Sequence, residues 1–187
     1  MRGNVDSTEP LAAEEHASVD SRRAALASVR EAERILARYL RPASLPREET
    51  RRRFVESGDL ERVLVLYTRA TDLDPKEPAY PWNLASSLRR LDEPQLALAF
   101  LEQAIRVAEE TGDTEWADAY AYIGWADVAL AARQFDVALV ALARARTQAR
   151  DEGALSEISR LVTAVERESG VKRRAEVLAG QLEGLTA

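Results

Sequence analysis

The sequence predicts an all-α fold of stacked helical hairpins, and three observations predict it. The first is a repeat: Leu60, Val63, Tyr67 and Ala70 are followed 34 residues later by Pro94, Ala97, Leu101 and Ala104, and Phe54 by Leu88. The second is that Leu88, Pro94, Ala97, Leu101 and Ala104 return at a common offset of 41 as Ala129, Phe135, Ala138, Leu142 and Ala145. The third is the punctuation, with Ser57-Gly58-Asp59, Asp74-Pro75, Asp92-Glu93-Pro94 and Gly112 separating runs with 3-4 apolar spacing.

Composition narrows the class. The 187 residues are 46% hydrophobic and 31% charged, which suits a folded chain with a sizeable core. No apolar run approaches the ~20 residues of a membrane span, and the N-terminus carries no apolar segment behind Arg2 that would read as a secretory signal. A cytoplasmic location is the expectation. The absence of cysteine removes disulfides, thiolate nucleophiles and cysteine metal sites. A net charge of −6 argues against nucleic acid as a partner. Lys76 and Lys172 are the only lysines among many arginines and alanines, the usage of a GC-rich bacterial genome.

In chain order, residues 1–18 read as a flexible acidic tail with little apolar period. Residues 19–41 read as an amphipathic helix carrying Leu26, Val29, Ile35, Leu36, Tyr39 and Leu40, capped by Asp20 or Ser21 and stopped by Pro42. Three repeats follow over 44–150, placed at 44–77, 78–111 and 119–152. In the first, the leading helix has a weak core face, because Thr50 and Arg51 stand where a large and a small residue are wanted. The second has Leu84-Ala85 and Leu88, with Pro81 preceding Trp82 and starting its helix. Small residues at 85, 97 and 104 let helices cross closely. In the third, Asp113 or Thr114 is the expected N-cap, and the seven extra residues lengthen the helices by about two turns. Residues 153–187 read as a helical pair broken at Ser169-Gly170, either a degenerate repeat or a cap on the array.

The 34-residue interval with its small and large positions resembles the tetratricopeptide repeat (TPR) family. Tyr122 stands in the family's tryptophan position and Trp125-Ala126 in its Leu-Gly pair. The resemblance covers about residues 44–150. It implies a right-handed α-solenoid whose concave groove, lined by the first helix of each pair, holds a peptide or protein segment. Projected onto this chain, the groove face carries Arg52 with Glu48 and Val55, then Trp82, Asn83, Arg89 and Arg90, then Tyr120. Arginines beside aromatic rings suit an acidic or C-terminal carboxylate ligand. Asn83 matches an asparagine of the family's carboxylate-clamping members, but Glu48, Arg52, Tyr120 and Gly124 depart from that set. The competing reading has these arginines as a solvated helix face paired with glutamates.

The expected function is therefore a non-enzymatic adaptor without cofactor or metal. The alternatives are a homo-oligomeric scaffold assembled through the 20–41 or 171–185 helix, or an accessory subunit of a neighbouring enzyme. His16 lies in the expected tail, and no phosphate loop, nucleophile elbow or metal-ligand spacing occurs. Trp116, Tyr120, Tyr122 and Trp125 form an aromatic cluster at helical spacing, read mainly as core.

Overall fold

The computed structural model describes residues 9–40 and 46–185, with side chains over 18–40 and 46–170. Eight α-helices and no strand occur among them: α1 (Glu9–Leu40), α2 (Arg47–Glu56), α3 (Asp59–Leu73), α4 (Ala79–Arg90), α5 (Pro94–Thr111), α6 (Ala119–Ala131), α7 (Phe135–Gln148) and α8 (Glu152–Leu185). The chain is all-α. It divides into two compact units, Met1–Asp92 and Glu93–Ala187, so the boundary falls in the turn of the second predicted repeat.

The repeat offsets mark equivalent core positions. Phe54, Val63, Tyr67 and Ala70 are buried, as are Leu88, Ala97, Leu101 and Ala104, and as are Ala129, Ala138, Leu142 and Ala145. The backbone repeats with them: Gly58, Asp92 and Arg133, separated by the same 34 and 41 residues, all take positive φ, at 77°, 63° and 59°. Each is the left-handed residue of a tight inter-helix turn, a conformation free for glycine, mild for aspartate and costly for arginine.

In the first unit α1 runs antiparallel to α3. Arg22 near its middle pairs with Asp74 at the end of α3 at 3.1 Å, and Tyr39 near its end reaches Asp59 at the start of α3. Ala25, Ser28 and Ala32 lie buried along α1 between Val29, Ile35 and Leu36, small enough for a close crossing. α1 and α3 thus form the principal helix pair, and α4 packs on both. α2, the expected first helix of that repeat, is left at the side: only Phe54 of its ten residues is buried, its ring 4.9 Å from that of Tyr39. Thr50 and Arg51 offer no apolar surface to hold it closer.

In the second unit α6 and α7 pair most extensively, α5 packs on α6, and α8 packs on α6 and α7. Ala154, Ile158, Leu161 and Val165 form the buried face of α8. Asp118 Oδ1 caps α6 by accepting from Ala121 N at 2.8 Å, and Asp151 Oδ1 caps α8 by accepting from Ala154 N at 2.8 Å.

Several boundaries differ from the sequence expectation. α1 begins at Glu9, inside the stretch expected as a tail, because Leu, Ala and Glu after Pro10 are strong helix formers and proline fits a helix's first turn; it therefore runs through Asp20 and Ser21, which cap nothing. Residues 1–8, Pro42 and the His16 side chain lie outside the described residues. Neither Asp113 nor Thr114 caps α6; Asp113 accepts instead from Glu115 N at 3.0 Å in the connector. The added length enters α5, 18 residues against 15 in α3, and the 112–118 connector, rather than two whole turns of helix. Ser169-Gly170 does not break α8: Gly170 keeps negative φ, and the Ser169 hydroxyl donates back to Glu166 O at 3.3 Å. The 171–185 face named for self-assembly has no described side chains.

Candidate functional site

α4 starts in Pro78-Ala79, where Glu77 Oε1 accepts from Ala79 N at 3.1 Å. Pro81 sits in the first helical turn, where its missing N–H costs nothing, and is buried. The helix thus starts two residues before Pro81, with Tyr80 buried and Asn83 exposed.

Asn83 opens into a cleft of about 410 Å³ between α4 and α1. Its apolar lining is Leu26 and Val29 from α1 with Ala79 and the Tyr80 ring from the α4 side. Its polar lining is Arg22, Arg30 and Glu33 from α1 with Glu77 and Asn83. Leu26 is 41% exposed and Val19, seven residues earlier on the same side of α1, is 57% exposed, so α1 shows solvent an apolar stripe besides the face it buries. Two guanidinium groups offset two carboxylates. Burial raises the Tyr80 phenol, assisted by the carboxylates of Asp74 and Glu77, so the ring presents a neutral hydroxyl over the physiological range. Asp74 in turn raises the Arg22 guanidinium by hydrogen bond and charge.

An exposed carboxamide can donate to and accept from one peptide unit, the apolar strip takes a side chain, and mixed charge sets register. The volume falls within the range of about 300–1,000 Å³ typical of ligand clefts. Among the described residues no three histidine, cysteine or acidic side chains cluster as a metal would require.

The six residues projected onto a groove are not all brought together. Asn83 lines the cleft. Arg90, on the same helix, donates from Nη2 to Leu40 O at 3.1 Å and closes the C-terminus of α1. Trp82 and Arg89 share another side of α4, both half-buried. Arg52 belongs to α2, ion-paired with Glu49 beside Glu48 and Val55 on an open depression. Tyr120 lies in the second unit, 54% exposed, its hydroxyl donating to Asp151 Oδ1 at 2.9 Å. Of the aromatic cluster only Tyr122 is buried; Trp116 and Trp125 are half-buried.

The residues sequence reasoning missed are those of α1. The signal was present in Ala25, Ser28 and Ala32, whose small side chains at helical spacing mark the close crossing that α2 lacks.

No family model matches the chain. No curated protein matches it either. Solved structures do. The N-terminal domain of stress-induced protein-1 (STI-1) from C. elegans is 21% identical over 62% of this chain and 91% of its own, with a TM-score of 0.48. The first TPR domain of human RPAP3 is 19% identical over 66% and 93%, with a TM-score of 0.45. The first TPR of Spaghetti (RPAP3), bound to the HSP90 peptide SRMEEVD, is 20% identical over 64% and 93%, with a TM-score of 0.43. No helix among the described residues is long and apolar enough to cross a membrane.

Proposed function

We propose that this TPR-like chain is a non-enzymatic adaptor that holds a segment of a partner protein in the cleft between α1 and α4. The observation that carries the reading is the cleft itself: Asn83 stands opposite the half-exposed Leu26, with charges of both signs at the rim. Such a surface recognises a peptide by one carboxamide contact and one seated apolar side chain. On this reading the groove is centred on α1 and α4, because α1 takes the position beside α3 that the repeat pattern gives to α2. Asn83 is its polar centre, Arg90 supports α1, and Trp82 and Arg89 lie on another side of α4. Arg52 and Tyr120 fall outside it. Of the α1 residues named for an oligomeric scaffold, Val29, Ile35 and Leu36 are buried within the unit, while Leu26 stays exposed.

The test is capture of partners from the source organism's lysate by the full chain, compared with Leu26→Glu/Asn83→Ala and with Arg52→Glu, each checked for helicity. A partner held by wild type and Arg52→Glu but lost by the double variant is the expected result. Equal retention by the folded double variant would refute the cleft as the site, and loss on Arg52→Glu alone would move it to α2.

A further inference from the structure

The second unit holds a cleft that the reading above does not use. It spans about 390 Å³ between α5 and α7, with Trp125 of α6 in its lining. The indole nitrogen of Trp125 is sealed from solvent and has no hydrogen-bond partner among the described residues. A buried N–H without an acceptor is uncommon in native proteins and destabilising, and it is kept where something else satisfies it or uses it. Tyr122, one turn earlier, shows the contrast: its hydroxyl donates to Glu109 Oε1 at 2.6 Å.

The walls define the acceptor. Glu109 also receives Arg144 Nη1 at 2.8 Å, and the Arg144 guanidinium lies over both the Tyr122 and Trp125 rings, at 5.9 and 5.5 Å. Glu102 and Arg106 are one turn apart on α5, the spacing at which opposite charges on a helix compensate. Two carboxylates thus balance two guanidinium groups, and the cleft has no net charge with which to select an ion. A neutral acceptor fits. The commonest one on a protein is a main-chain carbonyl, and an extended segment outside a sheet offers one at every residue, whereas a helix uses all but those of its last turn. Gln103 on the wall offers both a donor and an acceptor to the same backbone. Because the nitrogen is covered, the acceptor enters by displacing a rim side chain, and Arg144, with 46% of its side chain exposed, is the one positioned over the indole.

We propose that this cleft is a second peptide site, in which the Trp125 indole N–H donates to a backbone carbonyl of an extended, uncharged segment of a partner protein, with Arg144 as the movable cover.

The experiment uses the full chain labelled with ¹⁵N at the tryptophan indoles, with Trp125 assigned through Trp125→Phe. The probe is the capped neutral peptide acetyl-trialanine amide, run beside sodium acetate at equal ionic strength. The expected result is a saturable downfield movement of the Trp125 indole proton that exceeds those of Trp82 and Trp116, with a lower midpoint in Arg144→Ala. Acetate moving that resonance further than the peptide would overturn the proposal in favour of an anion site. No saturable movement in either wild type or Arg144→Ala would overturn it outright. Binding at Trp125 is independent of Leu26 and Asn83, so a Leu26→Glu/Asn83→Ala chain that keeps the response separates this site from the α1/α4 cleft.

Discussion

The hydroxyl of Tyr39, one residue from the end of α1, donates to Asp59 Oδ2 at 2.7 Å, at the first residue of α3. The same hydroxyl lies 3.1 Å from Ser57 Oγ, and the Tyr39 ring rests on Phe54. One side chain therefore joins α1, α2 and α3. Tyr39→Phe keeps the ring contact and removes the hydrogen bonds, so we expect a loss of about 1 kcal/mol in equilibrium denaturation, typical of a deleted hydrogen bond. No change would mean that α1 is not fastened there.

The α1/α3 crossing depends on small residues. Ala32 is fully buried, and Ala32→Leu has nowhere to place its added methylenes. A loss of about 1–3 kcal/mol by urea unfolding is expected from overpacking of this kind. The same change at Ala27, exposed on α1, should leave stability nearly unaltered.

How much of this was legible in the sequence follows from where the information sits. The 34 and 41 offsets located the buried positions in α3, α5 and α7, and Gly58 was legible as a left-handed turn, because each reports a local geometric demand; the left-handed Asp92 and Arg133 at the same offsets emerged only in the structure. The pairing of α1 with α3 was not legible from the repeat, since the template assigns partners by chain order and α2 comes next. Which helix wins that position is a competition of apolar surface, and α1 brings five buried apolar residues among its described side chains against the single Phe54 of α2. The projected residues separated for the same reason: Asn83 lines the α1/α4 cleft, while Arg52 went aside with its helix. Arg90 reads as a ligand-binding cation in sequence, and its bond to Leu40 O depends on where a distant helix ends.

Arg133 holds φ at 59° in the α6–α7 turn, where a β-carbon is strained. Its guanidinium lies 5.8 Å from the Phe135 ring centroid, a partial compensation. Arg133→Gly should raise stability by up to about 1 kcal/mol, measured by thermal unfolding followed by circular dichroism. A fall would show that the ring contact outweighs the backbone strain.

Gly170 lies inside α8 with open space where a β-carbon would go. Gly170→Ala should strengthen the helix by about 0.5–1 kcal/mol, with helicity rising at 222 nm. A loss of helicity would mark a real break at Ser169-Gly170.

Asp151 accepts from Ala154 N, which lowers its carboxyl most, and from the Tyr120 hydroxyl, which lowers it further. A carboxyl held below its unfolded value stabilises the fold above the unfolded pKa, near 3.9, and that contribution fades as pH falls through the folded value. Tyr120→Phe should therefore raise the Asp151 pKa towards the ordinary carboxylate value in a carboxyl ¹³C titration and move acid-induced fraying of α8 to higher pH. An unmoved Asp151 resonance would remove Tyr120 from this capping role.

The central claim is that α1 and α4 together hold the partner, and site-specific photocross-linking tests it most directly. A photoreactive side chain placed in the full chain at position 26, 83 or 52 is irradiated with the captured partner. The account predicts adducts from positions 26 and 83 and none from 52. Adducts from 52 alone, or none from 26 and 83, would contradict it.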